Sequence, residues 1–126
     1  MIMKDAFTLL ELLVVIAIIS ILTSIAYPNY SASIKKTYRN TAEMTLMSLT
    51  NELESYYGNH NSYNNAESSN LFKKSDKHYR YHVRASDEHY VITATPIKGD
   101  KTCGVLGITD HGVRSSSGSA ALSSCW

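Results

Sequence analysis

Two groups of residues in this 126-residue sequence have the type and spacing to do chemistry. The first is a single carboxylate, Glu11, the one charged side chain in Phe7–Tyr27, FTLLELLVVIAIISILTSIAY. A carboxylate inside a membrane-spanning helix costs about 2.5–3.5 kcal/mol on insertion scales and therefore needs a partner. The second is Lys73 to Arg84, KKSDKHYRYHVR, where Lys73, Lys74, Lys77, Arg80 and Arg84 stand against one acid, Asp76, with tyrosines and histidines interleaved. Basic groups spaced along a strand can contact successive phosphates, giving a salt-sensitive and largely sequence-independent attraction to DNA. The competing reading is that the tyrosines are core and the charges are the solvated face of a half-buried strand.

Other chemistry finds little support. The five histidines (60, 78, 82, 89 and 111) are scattered, and His78 and His82, four apart on a predicted strand, would lie about 13 Å from each other, too far to share one metal. There is no glycine-rich phosphate loop, no nucleophile elbow and no pair of carboxylates flanking a cleft. No enzyme activity, metal or cofactor is expected. The two cysteines, Cys103 and Cys125, read as a structural disulfide in an exported chain. Closing a loop of about 23 residues contributes on the order of 3 kcal/mol. A metal site needs more ligands than these two, and spacing alone gives weak support for a redox pair.

The elements that must position these groups begin with the apolar run. As a helix, twenty-one residues span about 31 Å, close to a bilayer's hydrocarbon core. Three readings compete for it. A secretory signal would be cut at a small-x-small site, and Ser24-Ile25-Ala26 supplies one, but the run is long for that and contains Glu11. A plain anchor fits the length and leaves Glu11 unexplained. In the third reading a short leader is cut between Ala6 and Phe7, and the new terminal amine becomes the partner of Glu11.

The stretch Ala6-Phe7-Thr8-Leu9-Leu10-Glu11-Leu12-Leu13 resembles the class III signal of type IV pilins, and Ala26-Tyr27-Pro28 with Tyr30 resembles the pilin sequence that follows the apolar half. The resemblance implies cleavage after Ala6 and N-methylation of Phe7 by prepilin peptidase. It also implies that Glu11 neutralises the amine of a neighbouring subunit during assembly. The family usually has glycine where this chain has Ala6, and often glycine where it has Ser20. Pro28 should kink or locally open the helix.

From Tyr30 to about Tyr57 the pattern is amphipathic: Ile34, Tyr38, Ala42, Leu46, Leu49, Leu53 and Tyr56 draw one apolar stripe at three- and four-residue steps. Gly58-Asn59 is expected to end the helix. A polar loop follows to about residue 76, long enough to be functional or mobile. In the next segment Tyr79, Tyr81, Val83 and Ala85 alternate with His78, Arg80, His82 and Arg84, predicting a strand with one apolar and one basic face. Ser86-Asp87-Glu88 makes the turn into a return strand, His89 to Thr95, whose central pairing Pro96 ends. A third strand, Val105 to Thr109, a turn at Asp110-His111-Gly112, a short strand at Val113-Arg114 and a serine-rich loop from Ser115 to Ser124 complete the chain.

The expected fold is therefore α+β, a long N-terminal helical spine whose C-terminal half packs on an antiparallel β-sheet. The expected divisions are a leader (1–6), an apolar transmembrane and assembly helix (7–30) and a soluble head (31–126). Within the head they are an amphipathic helix (31–57), a loop (58–76) and a sheet with a disulfide-closed end (77–126).

The C-terminal string Tyr90-Val91-Ile92-Thr93-Ala94-Thr95-Pro96, Cys103-Gly104, Leu106, Gly112-Val113 and Cys125-Trp126 resembles minor pilins of the PilE and ComP group. The resemblance implies the type IV pilin fold and a pilus subunit held in the inner membrane by one span, then moved to an extracellular filament. The head would lie in the periplasm or outside. Implied partners are other pilins in a helical filament, the inner membrane before assembly, prepilin peptidase, the assembly platform and, for the ComP branch, DNA. A secretion pseudopilin shares the N-terminal signal and remains a competing assignment.

Overall fold

A computed structural model describes residues 5–69 and 74–126. The chain divides into two compact units, Met1–Lys36 and Thr37–Trp126. Helix α1 (Leu9–His60) contributes to both.

In the first unit α1 buries nothing. Ile16, Ile19 and Leu22 are 57%, 55% and 61% exposed. By length and composition this is a helix able to cross a membrane. The expected opening at Pro28 does not interrupt it, since α1 continues through that residue. Proline removes one N–H from the ladder but leaves the turns on either side their own bonds.

In the second unit the predicted stripe is the buried face. Ala42, Leu46, Leu49 and Leu53 are wholly buried, with Tyr38 and Tyr56 packed at the margins. Each buried leucine contributes about 1.5–3 kcal/mol relative to exposure. The face meets a four-stranded antiparallel sheet in the order β1 (Tyr79–Ala85), β2 (Tyr90–Pro96), β3 (Leu106–Thr109) and β4 (Arg114–Ser116). Tyr79, Tyr81, Val83, Tyr90, Ile92, Ala94, Leu106 and Ile108 fill the inner side. The β1–β2 register runs from Tyr79↔Pro96 to Ala85↔Tyr90, so Pro96 closes the ladder as expected.

Four expectations at the edges are corrected. The helix ends at His60, not about Tyr57, because the left-handed residue is Asn61 (φ 52°) and not Gly58 or Asn59. The Asn61 N–H donates to the Tyr57 carbonyl at 2.7 Å, and asparagine tolerates that conformation better than most side chains. The following loop is anchored. Tyr63 and Ala66 are buried, Ala66–Ser68 form a 3-10 turn, and Tyr63 packs on Tyr57 and Tyr90 with ring centroids 4.7 and 4.9 Å apart.

At the other end of the sheet, Val113 belongs to the turn and not to β4. Its carbonyl accepts the Thr109 N–H at 3.1 Å, and Gly112 takes the positive φ (76°) that the turn demands. The serine-rich tail is also more ordered than a loop. It contributes Ser115 and Ser116 to β4 and ends in α2 (Leu122–Cys125). Cys103 and Cys125 are joined by a disulfide, with Cα atoms 5.6 Å apart. Gly118 is required here, since a Cβ would sit 2.2 Å from the Thr102 carbonyl oxygen.

Candidate nucleic-acid interface and assembly segment

Alternation along β1 sends Tyr79, Tyr81 and Val83 to the core and leaves Arg80, His82 and Arg84 exposed on the opposite face. Register places Arg80 beside Thr95, His82 beside Thr93 and Arg84 beside Val91, so the basic row borders a floor of small and β-branched side chains. In the four-stranded order β1 is the outermost strand, and its outer side is partly covered. Ser75 bridges Arg80, the Tyr81 N–H donates to the Lys74 carbonyl at 3.2 Å, the Asp76 N–H to the Tyr79 carbonyl at 3.0 Å, and the Ala85 N–H to Glu67. Arg80, Arg84 and the exposed Lys77 have no ion pair among the described residues.

The predicted basic set does not stay together. Lys74 turns to α1 and pairs with Glu52 at 2.6 Å. Lys73 lies outside the described residues. His78 also leaves the outer face: it precedes β1, is half-buried, and stacks on Tyr38 with ring centroids 3.5 Å apart. The cause is Asp76, whose Oδ1 accepts the His78 and Tyr79 N–H groups, both at 2.7 Å, and turns the chain before the strand starts. Its Oδ2 accepts the Tyr81 hydroxyl at 2.8 Å. Burial would raise the Asp76 carboxyl, but these donors hold it below its ordinary value. The local acid is thus committed to the fold. Acidic residues return at Asp87 and Glu88, in the turn after Arg84.

At the other end of the chain, Ala6 and Phe7 precede the helix and are exposed. Thr8 and Glu11 form a reciprocal cap that the sequence reading passed over. The Thr8 N–H donates to Glu11 Oε2 at 2.8 Å, and the Glu11 N–H donates to Thr8 Oγ1 at 3.2 Å. The signal was present as Thr-x-x-Glu before an apolar run. Ser20, Thr23 and Ser24 turn their hydroxyls onto the carbonyls of Ile16, Ile19 and Ile21, each at 2.7 Å. The segment's polar side chains therefore find partners within the helix, as hydrocarbon requires.

Three long-range constellations had no sequence signal. The Arg39 guanidinium donates to Asp100 through Nε (2.7 Å) and a second nitrogen (3.2 Å), and side-chain exposures of 11% and 7% make this a largely buried pair. Glu54 accepts the hydroxyls of Tyr63 (2.9 Å) and Tyr90 (3.4 Å). Burial, with the Glu54 charge, pushes both phenols upward, Tyr90 to about 12. Finally, two of the histidines judged scattered meet: His89 Nδ1 lies 2.7 Å and His111 Nε2 3.5 Å from Asp110 Oδ2. His60, His78 and His82 do not join them.

Comparison with known proteins follows the same division of the chain. A family model described as "Type IV minor pilin ComP, DNA uptake sequence receptor" matches residues 28–107, and one described as the prokaryotic N-terminal methylation motif matches residues 1–27. Among solved structures, the non-core minor pilin PilV of Neisseria meningitidis is similar in fold. Its TM-score is 0.54 at 22% identity, and the match covers 65% of this chain and 85% of PilV. No curated protein matches. With a match over most of its length, the chain belongs to the ComP family of type IV minor pilins.

Proposed function

We propose that this minor pilin is a DNA receptor displayed on a pilus, with Lys77, Arg80 and Arg84 supplying phosphate contacts. The observation that carries the proposal is the exposed cationic row on the outermost strand β1, without ion pairs among the described residues, in a chain whose family model is described as a DNA uptake sequence receptor. A fold needs no such row, since the tyrosines that alternate with it already supply the core contacts. Lys74, paired with Glu52, contributes field and not direct contact; Lys73 belongs to the proposed set by sequence alone.

The mount for the receptor is the N-terminal segment. A peptidase cleaves after Ala6, Phe7 is methylated, the residue 7–30 helix holds the chain in the inner membrane, and the assembly platform transfers it to the filament. There Glu11 meets the amine of a neighbouring pilin, Pro28 gives the helix a place to yield, and the 31–126 head stays outside the membrane.

Titrating the full chain, held in non-ionic detergent, with duplex DNA at several salt concentrations tests the receptor reading. If Arg80 and Arg84 each neutralise one phosphate, Arg80→Glu with Arg84→Glu lowers the slope of log K against log salt by about 2 and weakens binding at every DNA sequence. Equal affinity and equal slope in the double variant would remove the assignment and leave a purely structural subunit.

A further inference from the structure

We propose a divalent-metal site at the end of the sheet, formed by His89, Asp110 and His111, for a cation of the zinc class. The β2–β3 ladder ends at Val91↔Thr109. One step further sets Tyr90 opposite Asp110, and the Asp110 N–H does donate to the Tyr90 carbonyl at 3.2 Å. Beyond that pair the chain turns at Asp110-His111-Gly112, and the His89 and His111 ring centroids are 5.5 Å apart. The turn thus brings the His111 ring and the Asp110 carboxylate to the start of β2, beside His89.

The surrounding backbone is held on both sides. The Ser86 N–H donates to the His89 carbonyl at 2.8 Å, the Thr109 N–H to Val113 at 3.1 Å and the Gly112 N–H to Thr109 at 2.9 Å. Asp110 is the less exposed member, with 13% side-chain exposure, while His89 and His111 are 62% and 71% exposed. One ligand atom from each residue lies within 4.8 Å of the others. Bonds of about 2.0–2.2 Å to a tetrahedral ion place ligand atoms about 3.3–3.6 Å apart. His111 already stands 3.5 Å from the Asp110 carboxylate, and the 2.7 Å His89–Asp110 contact opens slightly to admit the ion. Two imidazoles and one carboxylate suit zinc and, by the general affinity order of divalent ions, copper more strongly. Remaining coordination positions face solvent and take water.

The site is independent of the DNA reading, since none of the three residues belongs to the Lys77, Arg80 and Arg84 set. Calorimetric titration of the full, untagged chain in a non-chelating detergent buffer near neutral pH with zinc chloride tests it. One saturable equivalent is expected, weakened at least tenfold by His89→Gln or His111→Gln and abolished by the pair. Both positions are exposed, and unchanged far-ultraviolet circular dichroism confirms that the variants fold. Absence of saturable binding, or an unaltered isotherm in the double variant, overturns the proposal; the latter would assign the metal to other histidines.

Discussion

Two stretches of one helix, both carrying leucines, meet opposite fates. Between Leu9 and Ile25 every large apolar side chain of α1 is about half exposed or more, whereas Leu46, Leu49 and Leu53 are wholly buried. The first stretch is the more hydrophobic, and its apolar residues are also arranged differently. It is apolar all round, the pattern of a membrane span or of a helix enclosed by others. The second confines its apolar residues to one stripe, which the chain's own sheet covers. The first therefore encodes association, the second a domain. Polar groups follow the same logic: Ser20, Thr23 and Ser24 close on carbonyls of their own helix, while Arg39, just past the unit boundary, closes on Asp100 in a distant loop.

The largest way to strain this contrast is to remove the long-range polar tie. Asp100→Ala leaves a largely buried guanidinium unpaired and should destabilise the head by about 3–5 kcal/mol in equilibrium unfolding. The hydrogen bond from Arg39 holds the Asp100 carboxyl below its ordinary value. That contribution is complete above the unfolded-state pKa of about 3.9 and disappears as pH falls through the lower folded value. Melting temperature should thus drop on acidification more steeply in the parent chain than in Asp100→Asn.

Next comes a matched pair of truncations. Leu49→Ala should cost about 3 kcal/mol of head stability, while Ile16→Ala should change it by less than about 0.5 kcal/mol. A comparable loss in both would mean that the two stretches are not energetically separate. The smallest effect belongs to the cap. Thr8→Ala removes one half of the reciprocal bonding and should cost about 1 kcal/mol, seen as faster amide exchange in the first turn of α1. Filament incorporation should survive Thr8→Ala and fall in Glu11→Ala. Equal incorporation in both would reduce Glu11 to a capping residue.

Much of this was legible because it is local. Alternation along Tyr79–Ala85 correctly divided core tyrosines from outward arginines, and the stripe through Leu46, Leu49 and Leu53 correctly named the buried helix face. What failed locally did so at boundaries. Gly58 looked like a stop, yet the chain ran on to Asn61, because stacking of Tyr56 on His60 with centroids 4.0 Å apart adds contacts to the last turn. His78 fitted the alternation but was turned aside by Asp76 one residue before pairing began.

For this protein, then, the amino-acid order alone determined which segments are helix or strand, which side of each is apolar, and that one apolar run is long enough to span a bilayer. Those properties repeat at intervals of two to four residues and need no knowledge of distant neighbours. Only the tertiary structure decided that Arg39 finds Asp100, that Lys74 is drawn off the basic row by Glu52, and that His89 meets His111 across Asp110. Each of those meetings depends on strand pairing or loop closure between residues far apart in the chain, which no local period encodes.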